Sequence, residues 1–305
     1  MKGVHAVLTE SAFAKLNLSL DITGRRRDGY HLLSMVNVSI SLQDMLSFDR
    51  MPDGGLQVRC VPDADAPQMP PVPDGKENLV YRAAETFFSL TGETDRNVCM
   101  TVHKKIPSQA GLAGGSSDAA AALRGLCRLY GCAVSPKALC RMAETIGADV
   151  PFCVQGGTVL VKGIGEILTP LAPIPACWFV VCKPPIHVRT AEAYHQLDAA
   201  QEVIPQFTPG VLKALQQKSL PMLGCAFGNA FAVALPLPEV KAIQKRMLQA
   251  GALGACMTGS GSAVFGLFDE KKAAETVYEK LRKEYPCTYL CQPTEAIQLP
   301  SSSIQ

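Results

Sequence analysis

The chain has 305 residues, 48% of them hydrophobic and 18% charged, with a formal net charge of +2. That length carries one large domain or two of ordinary size, and the composition is that of a globular chain rather than a disordered one. The near-neutral charge speaks against a nucleic-acid-binding surface, and the basic run Arg25-Arg26-Arg27 is too short to carry that reading.

Twelve cysteines invite a disulfide or metal reading, but the sequence holds no C-x-x-C and no H-E-x-x-H. Cys127, Cys140, Cys153, Cys182 and Cys256 sit among apolar residues, where cysteine behaves as a small hydrophobe. The N-terminal stretch MKGVHAVLTESAFAKLNL lacks the unbroken apolar segment of a signal peptide. The longest apolar stretch, near CWFVVC, is far short of the roughly 20 residues that span a bilayer. A soluble, cytoplasmic protein with reduced thiols is expected, with no membrane or nucleic-acid partner.

From Ala14 the segment AKLNLSLDI alternates Ala14, Leu16, Leu18, Leu20 and Ile22 with Lys15, Asn17, Ser19 and Asp21, the period of a half-buried strand with a polar face. TGRRRDGYH is turn-rich, and LLSMVNVSISL is strand-like by its β-branched content. RCVPDADAPQMPPVPDGKEN, with prolines from Pro67 to Pro73, reads as a surface loop or small insertion. Asn78 opens a helix that Gly92 stops, and Val98 to Ile106 is a strand ending at Pro107. Ala119, Leu123, Leu126, Cys127 and Tyr130 form the apolar face of a helix closed by Gly131. Ser135 and Pro136 make an N-cap and first helical position for a stripe of Leu139, Met142, Ala143 and Ile146. In GADVPF, Pro151 is expected to hold Val150 extended. Val159 to Leu168 reads as strand with a glycine turn, and LAPIPA, Leu171 to Ala176, as a linker. Beyond it come the strand WFVVC, a helix from TAEAYHQLD, a helix from Pro238 to Ala250, a glycine loop feeding a strand in ACMTGSGSAVFGLF, and a last helix, EKKAAETVYEKLRKEY. Strands and helices without a steady βαβ repeat indicate an α+β protein of two domains, 1–170 and 171–305.

The chemistry gathers in five segments. In IPSQAGLAGGSSDAAAALRGL, Gly111, Gly114 and Gly115 precede Ser116, Ser117 and a strong helix former. Glycines let backbone approach a ligand, and the first amides of a helix point outward at the positive end of its dipole, so the stretch makes an anion cradle. It fits a phosphate loop or a tight turn with a serine N-cap equally well. No Lys-Ser or Lys-Thr pair follows, so it is not a Walker loop, and no G-x-G-x-x-G marks a dinucleotide fold. Asp118, read as lying in the first helical turn, adds negative charge near any phosphate and so calls for a cation, lysine or Mg²⁺. Taken alone, Lys15 fits a solvated sheet face and Asp149 a turn aspartate. Tyr30 and His31 suit a nucleobase or a surface turn, and TGSGS, Thr258 to Ser262, suits a substrate loop or a hairpin turn.

In order, AKLNL, R-x-D-G-Y-H, P-x-x-x-G-L-x-G-G-S-S-D-A-A, GADVPF and TGSGS-x-V-F resemble the GHMP small-molecule kinase superfamily from about Ala14 to the last strand. AKLNL with RRDGYH is similar to the branch that phosphorylates CDP-methylerythritol in the non-mevalonate isoprenoid pathway. The resemblance implies the two-domain GHMP kinase fold, with an N-terminal domain like the second domain of ribosomal protein S5, a ferredoxin-like C-terminal domain, and a site between them using ATP and Mg²⁺. It implies Lys15 and Asp149 as the catalytic pair. It assigns ATP phosphates to Pro107, Ser108, Gln109, Ala110, Gly111, Leu112, Ala113, Gly114, Gly115, Ser116 and Ser117, with Asn78 and Lys104 on the nucleotide side. It assigns the cytidine end to Tyr30, His31 and Tyr194, and the erythritol hydroxyls to Asn17. Ala110 and Ala113 replace glycines of the family loop, and Ala113 is expected to have an ordinary φ while Gly111, Gly114 and Gly115 take the unusual angles. A GHMP kinase acting on mevalonate, homoserine or a sugar, a non-catalytic nucleotide-binding protein and a ribosome-associated module are the competing readings.

Overall fold

The computed structural model describes residues 7–200 and 203–299, so the reading of residues 1–6 as part of a leaderless N-terminus lies outside the described residues. Two long strands, β1 (Leu8–Arg25) and β2 (His31–Arg50), pair antiparallel with three irregularities of register. Their connection is a tight turn in which Gly29, at φ 92°, donates its amide to the carbonyl of Arg26. β3 (Leu56–Pro62) runs parallel to β4 (Val98–Lys104). The segment read as loop from Arg59 therefore begins as strand, because Leu56, Val58 and Cys60 alternate with polar neighbours before the prolines take over.

Between these strands α1 (Leu79–Thr91) opens on Asn78, whose Oδ1 accepts from the amide of Val80, and ends at Gly92 in the left-handed conformation. α2 (Gly114–Leu129) and α3 (Pro136–Glu144) follow, the latter capped by Ser135 with proline in its first turn. α4 (Val150–Gln155) corrects the expectation at Val150, which starts a helix rather than extending. Pro151 is tolerated there because the amide it lacks is one that a helix start leaves unpaired in any case. β5 (Thr158–Gly163) and β6 (Ile167–Pro170) complete the first half.

The second half contains β7 (Trp178–Cys182), α5 (Thr190–Ala199), α6 (Thr208–Gln216), α7 (Leu220–Ala226), β8 (Gly228–Asn229), α8 (Ala230–Ala234), α9 (Pro238–Gln249), β9 (Gly254–Met257), β10 (Val264–Phe268), α10 (Lys271–Arg282) and β11 (Thr288–Cys291). Its sheet has the order β11-β7-β10-β9, antiparallel throughout, with α9 and α10 as the crossovers, which is the ferredoxin-like arrangement. The first sheet has the order β3-β4-β2-β1-β8, with β5 on β2 and β6 on β5. β8 comes from beyond the linker yet pairs with Ser19 and Leu20 of β1, so the two halves share a sheet.

The sheets also share a core. Ala14, Leu16, Leu18, Val36, Val38 and Ile40 join Phe179, Val181, Phe265 and Leu267 in one buried cluster. Val180, Cys182 and Val264, on the other face of the second sheet, pack in the cluster that holds Ile243, Met247, Ala274 and Val277 of α9 and α10.

The polar face of β1 is not solvated, as the alternation implied. Lys15, Asn17, Ser19 and Asp21 are all buried, because the second half of the chain covers them. Asp21 accepts the amides of Phe207 and Thr208 at 2.8 and 2.9 Å, capping α6, whose own N-cap residue makes no side-chain bond. All twelve cysteines are free thiols. Among the described residues no helix is long and apolar enough to cross a membrane.

Candidate active site

A cavity of about 1200 Å³ opens between the halves, lined by the loop 107–116, by Lys15 and Asp149, and at its far end by His31 and Tyr194. The loop is stitched in place from two sides. Lys15 donates its amide to Leu112 O at 3.1 Å, Ala263 donates to Ala110 O at 3.2 Å, and the Thr258 hydroxyl donates to Gly111 O at 3.2 Å. Gly111 has φ 73°, and a Cβ there would overlap the carbonyl of Thr258. The second glycine loop thus turns the β9–β10 hairpin and also clamps the first.

Ala113 overturns its expectation. It lies at φ 56°, ψ 30°, the left-handed region, while Gly114 and Gly115 are the ordinary first residues of α2. The chain must reverse hand at the residue that hands it to the helix, and alanine, with the smallest side chain after glycine, does so at a cost of about 1–2 kcal/mol. Gln109 is also left-handed, at φ 51°. The helix supplies what the sequence promised: the amides of Gly114, Gly115 and Ser116 precede the first i→i−4 bond, which Ser117 makes to Ala113 O at 2.8 Å. Ser116 lines the cavity; Ser117 does not. Ser117 is buried and donates its hydroxyl to Phe13 O at 2.7 Å, so that hydroxyl faces away from the cavity.

Lys104 reaches the cavity wall but is committed to two buried carboxylates, Asp44 and, at 2.6 Å, Asp118. Burial opposes its charge, yet Asp118 and Asp44 outweigh burial and hold the ammonium protonated. Asp118 is the fifth residue of α2 rather than a first-turn residue, so its charge meets Lys104 and not the ligand end of the helix. Asp44, which carried no signal in the sequence beyond being polar in a buried strand, also accepts the amides of Lys105 and Ile106, fixing the approach to the loop.

Lys15 is 3% exposed. Burial lowers its pKa, and the nearby charge of Asp149 pushes the other way. Its ammonium donates to Asn17 Oδ1 rather than pairing with an acid; among the described residues no ion pair to Asp149 forms. Asn17 itself is fully engaged. Its Oδ1 accepts from Lys15, from Gly259 N at 2.7 Å and from Thr258 Oγ1 at 3.2 Å, and its Nδ2 donates to Asn37 Oδ1 at 2.7 Å. Asn17, which also lines the cavity, is therefore the joint that orients Lys15 and the hairpin. Asp149 is half-buried at the N-terminal end of α4. Arg124 of α2 locks that helix by donating to Cys153 O at 2.9 Å and to Ser11 O at 2.7 Å, tying phosphate helix, aspartate helix and lysine strand together.

At the far end Tyr30 is 61% exposed on the β1–β2 turn. The His31 ring stacks on Tyr194 of α5 with centroids 4.8 Å apart, and Tyr194 meets Phe231 edge-on. His31 Nε2 is 2.7 Å from Asp198 Oδ1, and Arg25 lies 3.4 Å from Asp198 Oδ2. The hydrogen bond from His31 holds the Asp198 carboxyl below the usual range. The reading of single residues missed Asp198, although its i+4 spacing from Tyr194 puts both on one helix face. Asn78, expected on the nucleotide side, caps α1 through its Oδ1 and donates its Nδ2 to Pro73 O at 2.9 Å, beside Leu79 of the cavity wall.

A glycine-loop helix N-terminus sharing one cavity with a buried lysine and an aspartate is the layout of a small-molecule kinase, and comparison with known proteins agrees. The GHMP kinases N terminal domain matches residues 78–157, and the GHMP kinases C terminal domain matches 211–287. The chain belongs to the GHMP kinase family. Over 92% of its length it is 42% identical to the 4-diphosphocytidyl-2-C-methyl-D-erythritol kinase of Moorella thermoacetica, covering 97% of that relative. It is 38% identical to the enzyme of the same name from Alkaliphilus metalliredigens, across 92% of this chain and 94% of the other. A crystal structure of 4-(cytidine 5'-diphospho)-2C-methyl-D-erythritol kinase superposes with a TM-score of 0.76 at 34% identity, covering 93% of this chain and 98% of that one. Homoserine kinase from Cytophaga hutchinsonii shares the fold, with a TM-score of 0.72 at 20% identity over 98% of each chain.

Proposed function

We propose that the chain is a cytoplasmic, ATP-dependent kinase that phosphorylates the 2-hydroxyl of 4-diphosphocytidyl-2-C-methyl-D-erythritol in the non-mevalonate route to isoprenoids. The observation that carries this reading is a single cavity with a phosphate cradle at one end, an aromatic and imidazole pair at the other, and Lys15 and Asp149 in its wall. At about 1200 Å³ it exceeds the roughly 300–1000 Å³ of an ordinary ligand pocket and has room for two substrates.

Phosphoryl transfer asks the protein for positioning and charge stabilisation rather than covalent chemistry. The amides of Gly114, Gly115 and Ser116 hold phosphate oxygens at the positive end of α2. The substrate hydroxyl attacks the γ-phosphorus as its proton passes to Asp149, and the bond to the ADP oxygen breaks. Lys15, fixed by Asn17 in a poorly solvated wall, offsets the negative charge that gathers on the transferring group without having to move.

Among the described residues no cluster of three or more His, Cys, Asp or Glu is arranged to hold a metal. Mg²⁺ brought in on the phosphates would find the Ser116 hydroxyl in the cavity wall as an oxygen donor. The ion supplies neutralisation of phosphate charge. Residues 1–170 and 171–305 then act as an ATP-binding half and a closing half.

The test is ADP release with the CDP-linked alcohol against mevalonate and homoserine, in the parent and in Lys15→Ala. Turnover of the CDP substrate alone, abolished in the variant, is expected. Turnover of mevalonate, or none of the CDP substrate, defeats the proposal.

A further inference from the structure

We infer that Asp198 is a positioning residue that sets base specificity: by accepting the Nε2 proton of His31 it fixes the neutral Nε2–H tautomer, so that Nδ1 meets the ligand as a hydrogen-bond acceptor and the site takes an amino-pyrimidine over an oxo-pyrimidine. The inference rests on the cytidine-bearing substrate proposed above.

A carboxylate only accepts, so the 2.7 Å contact requires the proton on Nε2. The two ring nitrogens of a neutral imidazole have opposite roles, and the partner of one decides the role of the other. Three further contacts make the arrangement specific. Tyr194 stacks on the ring with an interplanar angle of 23°, which fixes the ring plane and leaves the 180° flip about Cβ–Cγ as the motion for Asp198 to stop. The side chain of His31 is only 10% exposed, so water competes poorly for its nitrogens. Arg25, 3.4 Å from the other carboxylate oxygen, holds Asp198 from its far side. Among the described residues nothing else bonds Nδ1, and His31 lines the cavity.

An Nδ1 acceptor is complementary to the exocyclic amine of cytosine. Against the carbonyl oxygen that uracil carries at that position it sets two acceptors face to face. A site built to bond one polar group rejects the analogue lacking it far more strongly than shape alone would.

The experiment pairs a spectroscopic and a kinetic readout on the full chain. Nitrogen-15 NMR of the histidines in the ligand-free parent should report His31 as the Nε2–H tautomer. Asp198→Asn presents an amide that can donate to Nε2 and so permit the other tautomer, while Asp198→Glu restores an acceptor. The kcat/KM ratio for the CDP-linked over the UDP-linked alcohol should fall at least about tenfold in Asp198→Asn, mainly through KM, and recover in Asp198→Glu. An Nδ1–H or mixed tautomer in the parent, or a ratio unchanged by Asp198→Asn, overturns the inference. A parent inactive on the CDP substrate defeats the proposed function instead, and the NMR result still decides the tautomer.

Discussion

Replacing Lys15 with methionine should abolish catalysis and yet stabilise the fold. The side chain is 3% exposed and has no ion pair among the described residues, so an ammonium is held in a poorly solvating wall with only Asn17 Oδ1 as a named acceptor and Asp149 as a nearby charge. Exchanging buried charge for an apolar side chain of similar volume gains about 1–4 kcal/mol in comparable sites. The lost hydrogen bond returns about 1 kcal/mol. Asn17 Oδ1 is not orphaned, because Gly259 N still donates to it. The expected net gain is about 1–3 kcal/mol in urea unfolding at pH 7. Turnover should fall about 10²–10³-fold, the scale for removing one preorganised charge at a transition state.

The pH dependence follows from the same burial. In the parent burial holds the folded-state pKa of Lys15 below the ordinary lysine value of 10.5. Between those two pKa values the unfolded chain binds more protons, so parent stability rises with pH there. Lys15→Met lacks that rise, and its advantage should shrink as pH climbs toward 10.5. A destabilised Lys15→Met, or an advantage that stays constant up to that pH, would refute the claim that Lys15 is held charged at the fold's expense.

Asp149→Asn should reduce kcat by about 10²-fold or more with its circular-dichroism spectrum and melting curve intact, as for a positioned base; near-normal turnover removes Asp149 from that role. Lys104→Met leaves Asp44 and Asp118 buried without their cation and should cost about 3–5 kcal/mol of unfolding free energy, partly restored by adding Asp118→Asn. Additive single effects in that double-mutant cycle would deny the coupling. Gly111→Ala, strained at φ 73° and obstructed by Thr258, should lose about 1–3 kcal/mol and raise the KM for ATP, whereas Ala113→Gly relieves a left-handed alanine and should gain up to about 1 kcal/mol. Urea unfolding of the pair measures both, and equal effects would contradict the assignment of strain.

Much of the site was readable because its chemistry is local. A run of glycines entering an alanine-rich helix makes outward amides whatever surrounds it, and Ser135, Asn78 and Gly92 mark helix ends by bonds to their own neighbours. For the same reason Asn78 has two readings: its Oδ1 caps α1, and a residue that caps a helix is hard to tell from one that binds a ligand until its partners are known. Ser117 and Asn17 are alike in this, each polar and each bonded by a distant group, Phe13 O in one case and Gly259 N in the other.

The sequence by itself determined the secondary elements with strong period or caps, the α+β class and the glycine loop entering α2, and its resemblance to a family singled out Lys15 and Asp149. Only the tertiary structure decided that the polar face of β1 is sealed beneath the second half of the chain. It alone decided that Lys104 serves two carboxylates, that Ala113 turns left-handed, and that Asp198 holds His31. Periodicity and capping act over a few residues and leave their mark there. Burial, ion pairing and backbone hand are set by groups that can lie far along the chain, 242 positions in the case of Asn17 and Gly259, and the chain must fold before they meet.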